Sequence, residues 1–200
     1  MPTESFWHVA PLIFAAFLIG IRSSNVAAQK SDDLELVRRQ VEQLDHAGKH
    51  LQALALQRRL AAKIEKAETA SVGAPGTKTV EALVGVAWYA LLARDFKQAL
   101  AASNRAHSLA PSILPVETNR AHALLLLGRS REAQAIYLAH KGKPISLTSN
   151  QIWEDAIADD IESLRKAGIN EPALELINRA LGGKSSNPAA ARPPHNGPGL

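Results

Sequence analysis

The feature of this sequence that most constrains its fold is an internal repeat with a spacing of about 34 residues, a length used by stacked helix pairs. Small and large apolar residues recur in phase, so that Ala87, Leu91, Leu92, Ala99 and Ala101 return as Ala121, Leu125, Leu126, Ala133 and Ala135. A fixed period of this kind is typical of helix pairs that are too small to bury a core alone and therefore stack on their neighbours. The repeat predicts an all-α protein, a short α-solenoid of antiparallel helix pairs.

The composition agrees with an all-α chain and excludes several classes of site. Apolar residues make up 46% of the sequence and are mostly Ala and Leu, aromatic residues make up 4%, and no long run alternates apolar with polar residues. The absence of Cys excludes disulfides, thiolate metal sites and a cysteine nucleophile. Residues 87–149 are rich in Lys and Arg and residues 150–181 in Asp and Glu, an asymmetry that either steers an acidic partner or belongs to solvated helix faces. No basic run is interleaved with aromatic residues, so we expect no nucleic-acid partner.

The two ends of the chain differ from the middle. Residues 9–21 form an apolar run of thirteen residues, shorter than the roughly 20 that a membrane span needs, and small residues follow at Val26 and Ala28. We therefore expect residues 1–28 to be a signal peptide of an exported, periplasmic or secreted protein. The alternative is an uncleaved membrane anchor over residues 6–21. Residues 182–200 are rich in Gly, Pro, Ala and Ser and predict a disordered tail.

Between these ends, residues 31–181 are predicted to form the helical repeat domain. In the clearest unit, residues 79–111, Thr79 is placed as the cap of a first helix, and Arg94 and Asp95 form the turn to a second helix. The next unit covers residues 115–140 with Gly128 at its turn, and the linker 141–150 then breaks the period. Small residues such as Ala99 are expected where two helices approach closely.

Two further pairs flank the repeats. In residues 151–181, Gly168 marks a turn and Pro172 falls in the first turn of the last helix, where a missing N–H costs nothing. At the other side, Gly48 marks a turn between two helices that each carry an apolar stripe. The first stripe consists of Leu34, Val37, Val41 and Leu44, and the second of Leu51, Leu54, Ala55 and Ile64.

These residues resemble the tetratricopeptide repeat family, most closely over residues 80–143 and more loosely over 32–181. The family pattern runs from a small residue in the first helix to a Pro after the second, and it maps onto Ala87, Asp95, Phe96, Ala99, Ser103, Ala106 and Pro111. The second copy maps onto Ala121, Gly128, Ser130, Ala133, Tyr137 and His140, and it departs from the pattern at Ser130 and His140, as the first does at Ser103. The resemblance implies a protein-binding scaffold whose peptide ligands lie along the first helices of the pairs.

No constellation of catalytic or metal-binding residues stands out. His46 and His50 have the spacing of zinc ligands on one helix, but Gly48 is expected to break that helix and no third ligand is evident. The acidic residues around Asp159 are interpreted as a solvated helix face; they are Asp155, Asp159, Asp160 and Glu162. The sequence therefore predicts a non-enzymatic protein with no catalytic residues, no cofactor and no metal.

The expected site is a concave surface along the first helices, taking a peptide or protein of unknown identity. The residues expected to reach this surface are Arg38, Glu42, Trp88, Leu91, Asn119 and His122. For Trp88 the alternative is packing within the first helix. The alternative functions are self-association through the repeats and a place as accessory subunit of a cell-envelope complex. A membrane would be contacted only through an uncleaved N-terminal segment.

Overall fold

The computed structural model of the protein describes residues 33–145 and 151–182, and these residues form eight helices and no strand. The predicted leader over 1–28 lies outside them, as does the predicted tail beyond Gly182. The helices are α1 (33–46), α2 (His50–Val72), α3 (Thr77–Leu92), α4 (Phe96–Leu109), α5 (Leu114–Leu126), α6 (Ser130–Ala139), α7 (Trp153–Lys166) and α8 (Pro172–Ala180). The all-α prediction is thus confirmed for the described part of the chain.

Adjacent helices pack in sequence order. From α2 to α6 each helix contacts the next, α3 also contacts α5, and α7 packs on α8. Buried apolar side chains from α2 to α8 form one large cluster, against which Leu34 and Val37 of α1 pack, and a smaller second cluster joins α3, α4 and α5. Between α6 and α7 the chain forms an isolated backbone bridge, in which the Trp153 amide donates to the Lys143 carbonyl at 2.8 Å. The described residues therefore form a series of helices packed in sequence order around a main core.

The same turn joins α1 to α2, α3 to α4, α5 to α6, and α7 to α8. In each turn one residue has a left-handed backbone, and its amide donates to the carbonyl three residues earlier. The following amide donates to the carbonyl five residues earlier, which completes a Schellman motif. The left-handed residues are Gly48 (φ 68°), Arg94 (φ 61°), Gly128 (φ 78°) and Gly168 (φ 81°). The predicted turn positions are confirmed, and these turns join the eight helices of the described residues two by two.

The sequence repeat corresponds to a repeat of environments. Ala87 and Ala121 are fully buried, as are Ala99 and Ala133, whereas Ala101 is exposed like its counterpart in the next unit. Ser103 and Tyr137 also correspond, and both are fully buried although their sizes differ greatly. The Ser103 hydroxyl donates to the Ala99 carbonyl within its own helix at 2.9 Å. The small side chains therefore mark the contacts between helices, as their spacing predicted.

Two details of the first pair and the following helix differ from the sequence-based expectation. Leu51 is 70% exposed and Ala55 is also exposed, because the buried face of α2 is rotated about the helix axis relative to the predicted apolar stripe. That stripe consists of Ala53, Leu54, Gln57, Leu60, Ala61 and Ile64. Thr79 does not cap α3, since the helix begins two residues earlier.

Glu68 of α2 supplies the cap that α3 lacks. One carboxylate oxygen accepts from the amides of Gly76 and Thr79 at 2.9 Å and from the Thr79 hydroxyl at 2.6 Å. The other accepts from the Lys78 amide at 3.1 Å. These bonds, the Thr79 hydroxyl foremost, lower the pKa of Glu68 to about 2. A carboxylate at this place satisfies the free amides of the helix N-terminus and opposes its partial positive charge.

Among the described residues, no helix has both the length and the apolar character that crossing a bilayer requires.

We expect Ala99→Trp and Ala133→Trp each to lower the free energy of unfolding by about 1–3 kcal/mol or more, because a large ring cannot fit between packed helices. The matched controls Ala101→Trp and Ala135→Trp, at exposed sites two residues further on, should change it by less than about 0.5 kcal/mol. Denaturant unfolding followed by circular dichroism measures all four. Equal effects at buried and exposed positions would contradict the described packing.

The cap also predicts a pH dependence of stability. The pKa of Glu68 is lower in the folded chain than in the unfolded chain, so its stabilising effect is complete above about pH 4.5 and disappears as the pH falls toward 2. Glu68→Gln should therefore be less stable than the wild type at neutral pH, with the difference narrowing between pH 4.5 and 2. Urea midpoints across this range measure the effect. The exposed control Glu81→Gln should follow the wild-type curve; a constant gap for Glu68→Gln would contradict the cap.

Candidate interaction surface

The six residues expected on the ligand-binding face fall into two groups. Arg38 and Glu42 of α1 are exposed, and the Arg38 guanidinium pairs with Glu35 of the same helix at 2.5 Å. Trp88 of α3 is half-buried. The other three residues, Leu91, Asn119 and His122, are buried. The structure therefore leaves only the α1 residues and part of Trp88 accessible to a partner.

The buried candidates are internal because α5 is surrounded by other helices. It contacts α3, α4, α6, α7 and α8, and nine of its thirteen residues are buried. Asn119 donates from its amide nitrogen to the Val84 carbonyl of α3 at 3.1 Å. Buried Glu117 accepts from Arg120 at 3.1 Å and lies 2.5 Å from the His107 ring of α4. These side chains join helices and are not free to bind a ligand.

His122 is held between two other helices. The Tyr137 hydroxyl of α6 lies 2.8 Å from its Nδ1, and Asp160 Oδ2 of α7 lies 3.3 Å from its Nε2. Burial, and then the negative charge of Asp160, raises the pKa of Tyr137 well above its usual value, so the phenol stays protonated and donates to Nδ1. The Nε2–H then donates to Asp160. Because His122 and Tyr137 are fully buried, this chain of bonds fixes α7 on α5 and offers no surface for a substrate.

Asp160 also corrects the expectation of a solvated acidic face on α7. The side chain is 27% exposed and its carboxylate turns inward to His122, whereas Asp155 is exposed as expected. Asp159 is exposed too, and it accepts from the Gln151 side chain at 2.8 Å.

Helix α7 crosses α5 and ends near the turn between α3 and α4. At its start the Trp153 indole donates to the Tyr137 carbonyl of α6 at 2.9 Å, and at its middle Asp160 meets α5. Just beyond its end, the Gly168 carbonyl accepts a hydrogen bond at 2.6 Å from the guanidinium of Arg94, which lies in the turn between α3 and α4. In a regular solenoid each unit contacts only its neighbours. The last pair instead reaches back past its neighbour to the α3–α4 turn, which the period alone did not predict.

A cleft of about 530 Å³ remains open beside the end of α7. Three segments line it. They are residues 45–50 at the end of α1 and in the turn after it, the last turn of α3, which includes Trp88 and Leu92, and the last turn of α7 together with Ala167, the residue after it. Trp88 thus belongs to an accessible cleft formed by three segments that are distant in sequence.

The histidines near this cleft do not form a metal site with their neighbours. Gly48 separates α1 from α2, as expected, so His46 and His50 do not share a helix. His50 lies 3.0 Å from Asp45 through its Nδ1. Within the part of the chain that the structure describes, no group of three or more metal-ligating side chains converges.

Comparisons with known proteins place the chain in no family. No family model, no curated protein and no solved structure matches it.

Arg94 occupies the one left-handed turn position that is not Gly among the four turns, and the strain gives a prediction. An L side chain at this φ costs about 1–2 kcal/mol, so Arg94→Gly should be more stable than Arg94→Ala by about 1 kcal/mol, although both lose the bond to Gly168. Thermal unfolding compares the two variants. Gly128→Ala is a matched control, since an added Cβ meets no atom within 4 Å there, and it should lose a similar amount. An Arg94→Ala variant as stable as Arg94→Gly would exclude the strain.

Proposed function

We propose that the chain is a tetratricopeptide-like solenoid of antiparallel helix pairs that acts as a non-enzymatic scaffold for a peptide or protein partner. Two observations support this fold: the four identical turns, and the return of the same buried and exposed environments from one repeat to the next. Stacked pairs of this kind create extended surfaces between elements that are distant in sequence.

The observation that carries the binding function is the open cleft at Trp88. A half-buried indole has a large apolar face and little conformational entropy to lose, which suits a side chain that anchors a partner. Leu92 extends the apolar floor, and the turn after α1 supplies polar groups at the rim. The binding surface in this proposal is the cleft, and Arg38 and Glu42 lie on the helix that leads to it.

The proposed setting is outside the cytoplasm, as the apolar run in residues 9–21 suggests. Detection of the chain in an envelope or secreted fraction, with an N-terminus at Gln29, tests this setting. A mature N-terminus at Met1 or Pro2 would favour the anchor.

Self-association is a second candidate function, favoured by apolar side chains on the outermost pairs. Leu36 and Leu51 on the first pair are 55% and 70% exposed, and Leu176 on the last helix is 59% exposed. Terminal repeats of a solenoid need polar outer faces to remain separate. Light scattering across a concentration series distinguishes an oligomer from a monomer. The double variant Leu51→Lys with Leu176→Lys should dissociate an oligomer.

The test of the scaffold function is selection from a displayed library of random peptides. We expect peptides that bind the wild type and lose at least about tenfold in affinity with Trp88→Ala, because truncation of a central aromatic anchor typically costs about 2 kcal/mol or more. The control Leu138→Ala removes another exposed apolar side chain, outside the cleft, and should bind normally. Asn119→Ala is unsuitable as a probe because Asn119 is buried. Failure to enrich any peptide, or binding unaffected by Trp88→Ala, would contradict the proposal.

A further inference from the structure

The cleft at Trp88 has an unusual position relative to the helix ends. Helix α1 ends at 46, α3 at Leu92 and α7 at Lys166, and all three C-terminal ends lie in the walls of this one cleft. A helix C-terminus carries a partial negative charge of roughly half an elementary charge. Three such ends around one cleft favour a cation within it.

Acidic side chains add to this potential. Asp45 lines the cleft, and Glu42 lies one turn earlier on the same helix. Burial, followed by the negative charges of Asp45 and Glu42, raises the pKa of Tyr89, the residue next to Trp88. The charges of both carboxylates therefore reach the last turns of α3.

Positive groups offset part of this potential, since the Arg94 guanidinium donates to the Gly168 carbonyl just beyond the end of α7. The Lys166 side chain is exposed at the rim, and its ammonium lies 3.9 Å from a Glu162 carboxylate oxygen. His50 pairs with Asp45, and His46 is exposed. Lys166 is thus the permanent cation among the residues lining the cleft, and the Glu162 carboxylate beside it also pairs with Arg165.

The aromatic floor is suited to the same kind of ligand. The face of a Trp ring attracts an ammonium or guanidinium group, and the aliphatic stem of Lys or Arg packs on apolar surface beside it. Leu92 provides such surface next to Trp88. A cationic side chain can therefore place its stem on the apolar floor and its charge toward the acidic wall.

From these charges and this floor we infer that the cleft binds a basic peptide segment, with a Lys or Arg side chain against Trp88 and its charge directed to Asp45. The inference rests on the proposed scaffold function and specifies its partner class. An acidic partner, one of the two interpretations of the basic residues in 87–149, fits this cleft poorly because it would meet the helix C-termini and Asp45.

The test uses the full chain and three labelled peptides that differ at one central position. That position is Arg, Gln or Glu, and a Leu stands next to it in all three peptides. Fluorescence anisotropy measures their affinities at low and high salt. We expect the Arg peptide to bind at least about tenfold more tightly than the Glu peptide, and this difference to shrink with salt. Trp88→Leu should weaken the Arg peptide about three- to thirtyfold, and Trp88→Phe should weaken it less.

Charge variants separate a local effect from the net charge of the protein. Asp45→Asn should lower the affinity for the Arg peptide about three- to tenfold. Glu132→Gln makes the same change in net charge on α6, outside the cleft, and should leave the affinity nearly unchanged. Circular dichroism confirms that each variant keeps its helicity.

Several outcomes would overturn the inference. They are equal or tighter binding of the Glu peptide, identical behaviour of Asp45→Asn and Glu132→Gln, and no binding of any of the three peptides. The library selection separates this failure from failure of the scaffold function. Enriched peptides that depend on Trp88 but lack Lys and Arg would preserve the scaffold and exclude the basic partner.

Discussion

The packing of α5 is the constraint on which the rest of this structure depends. Five helices contact it, so its polar side chains must find partners inside the protein. Glu117 pairs with His107 and Arg120, and Asn119 donates to a backbone carbonyl of α3. His122 hydrogen-bonds to a hydroxyl of α6 and to a carboxylate of α7. A buried polar group without a partner costs about 1–3 kcal/mol, so these bonds specify which helices lie against α5.

The position of α7 follows from the same requirement. Its apolar stripe, with Ile157, Ile161 and Leu164, enters the common core, and Asp160 completes the bonds of His122. Because α7 crosses α5, its end meets the α3–α4 turn, where Arg94 bonds to Gly168. The last pair therefore contacts the α3–α4 turn as well as α5 and α6. The cleft at Trp88 lies beside the end of α7.

Helix ends connect the fold to the proposed function. The Schellman turns satisfy the last carbonyls of each first helix, yet the aligned peptide dipoles still place negative potential beyond the C-terminus. The ends of α1, α3 and α7 all line the cleft at Trp88. The chemistry of the proposed partner is thus a consequence of topology, since no segment of the cleft is basic or acidic enough by itself to define it.

The sequence by itself determined the helical class, the pairs and their turns. The period of the repeat, Gly48, Gly128 and Gly168 at the turns, and alanines at the close contacts are local signals, because helix phase and left-handed backbone depend on neighbouring residues. Only the tertiary structure decided which polar residues are internal. Leu91, Asn119 and His122 were expected on a ligand-binding face, but all three are buried: Asn119 bonds to α3 and His122 to Asp160, 38 residues later on α7, and no local pattern encodes these contacts. Burial of a polar side chain depends on the partner that reaches it through space, and that partner is set by the packing of the whole chain.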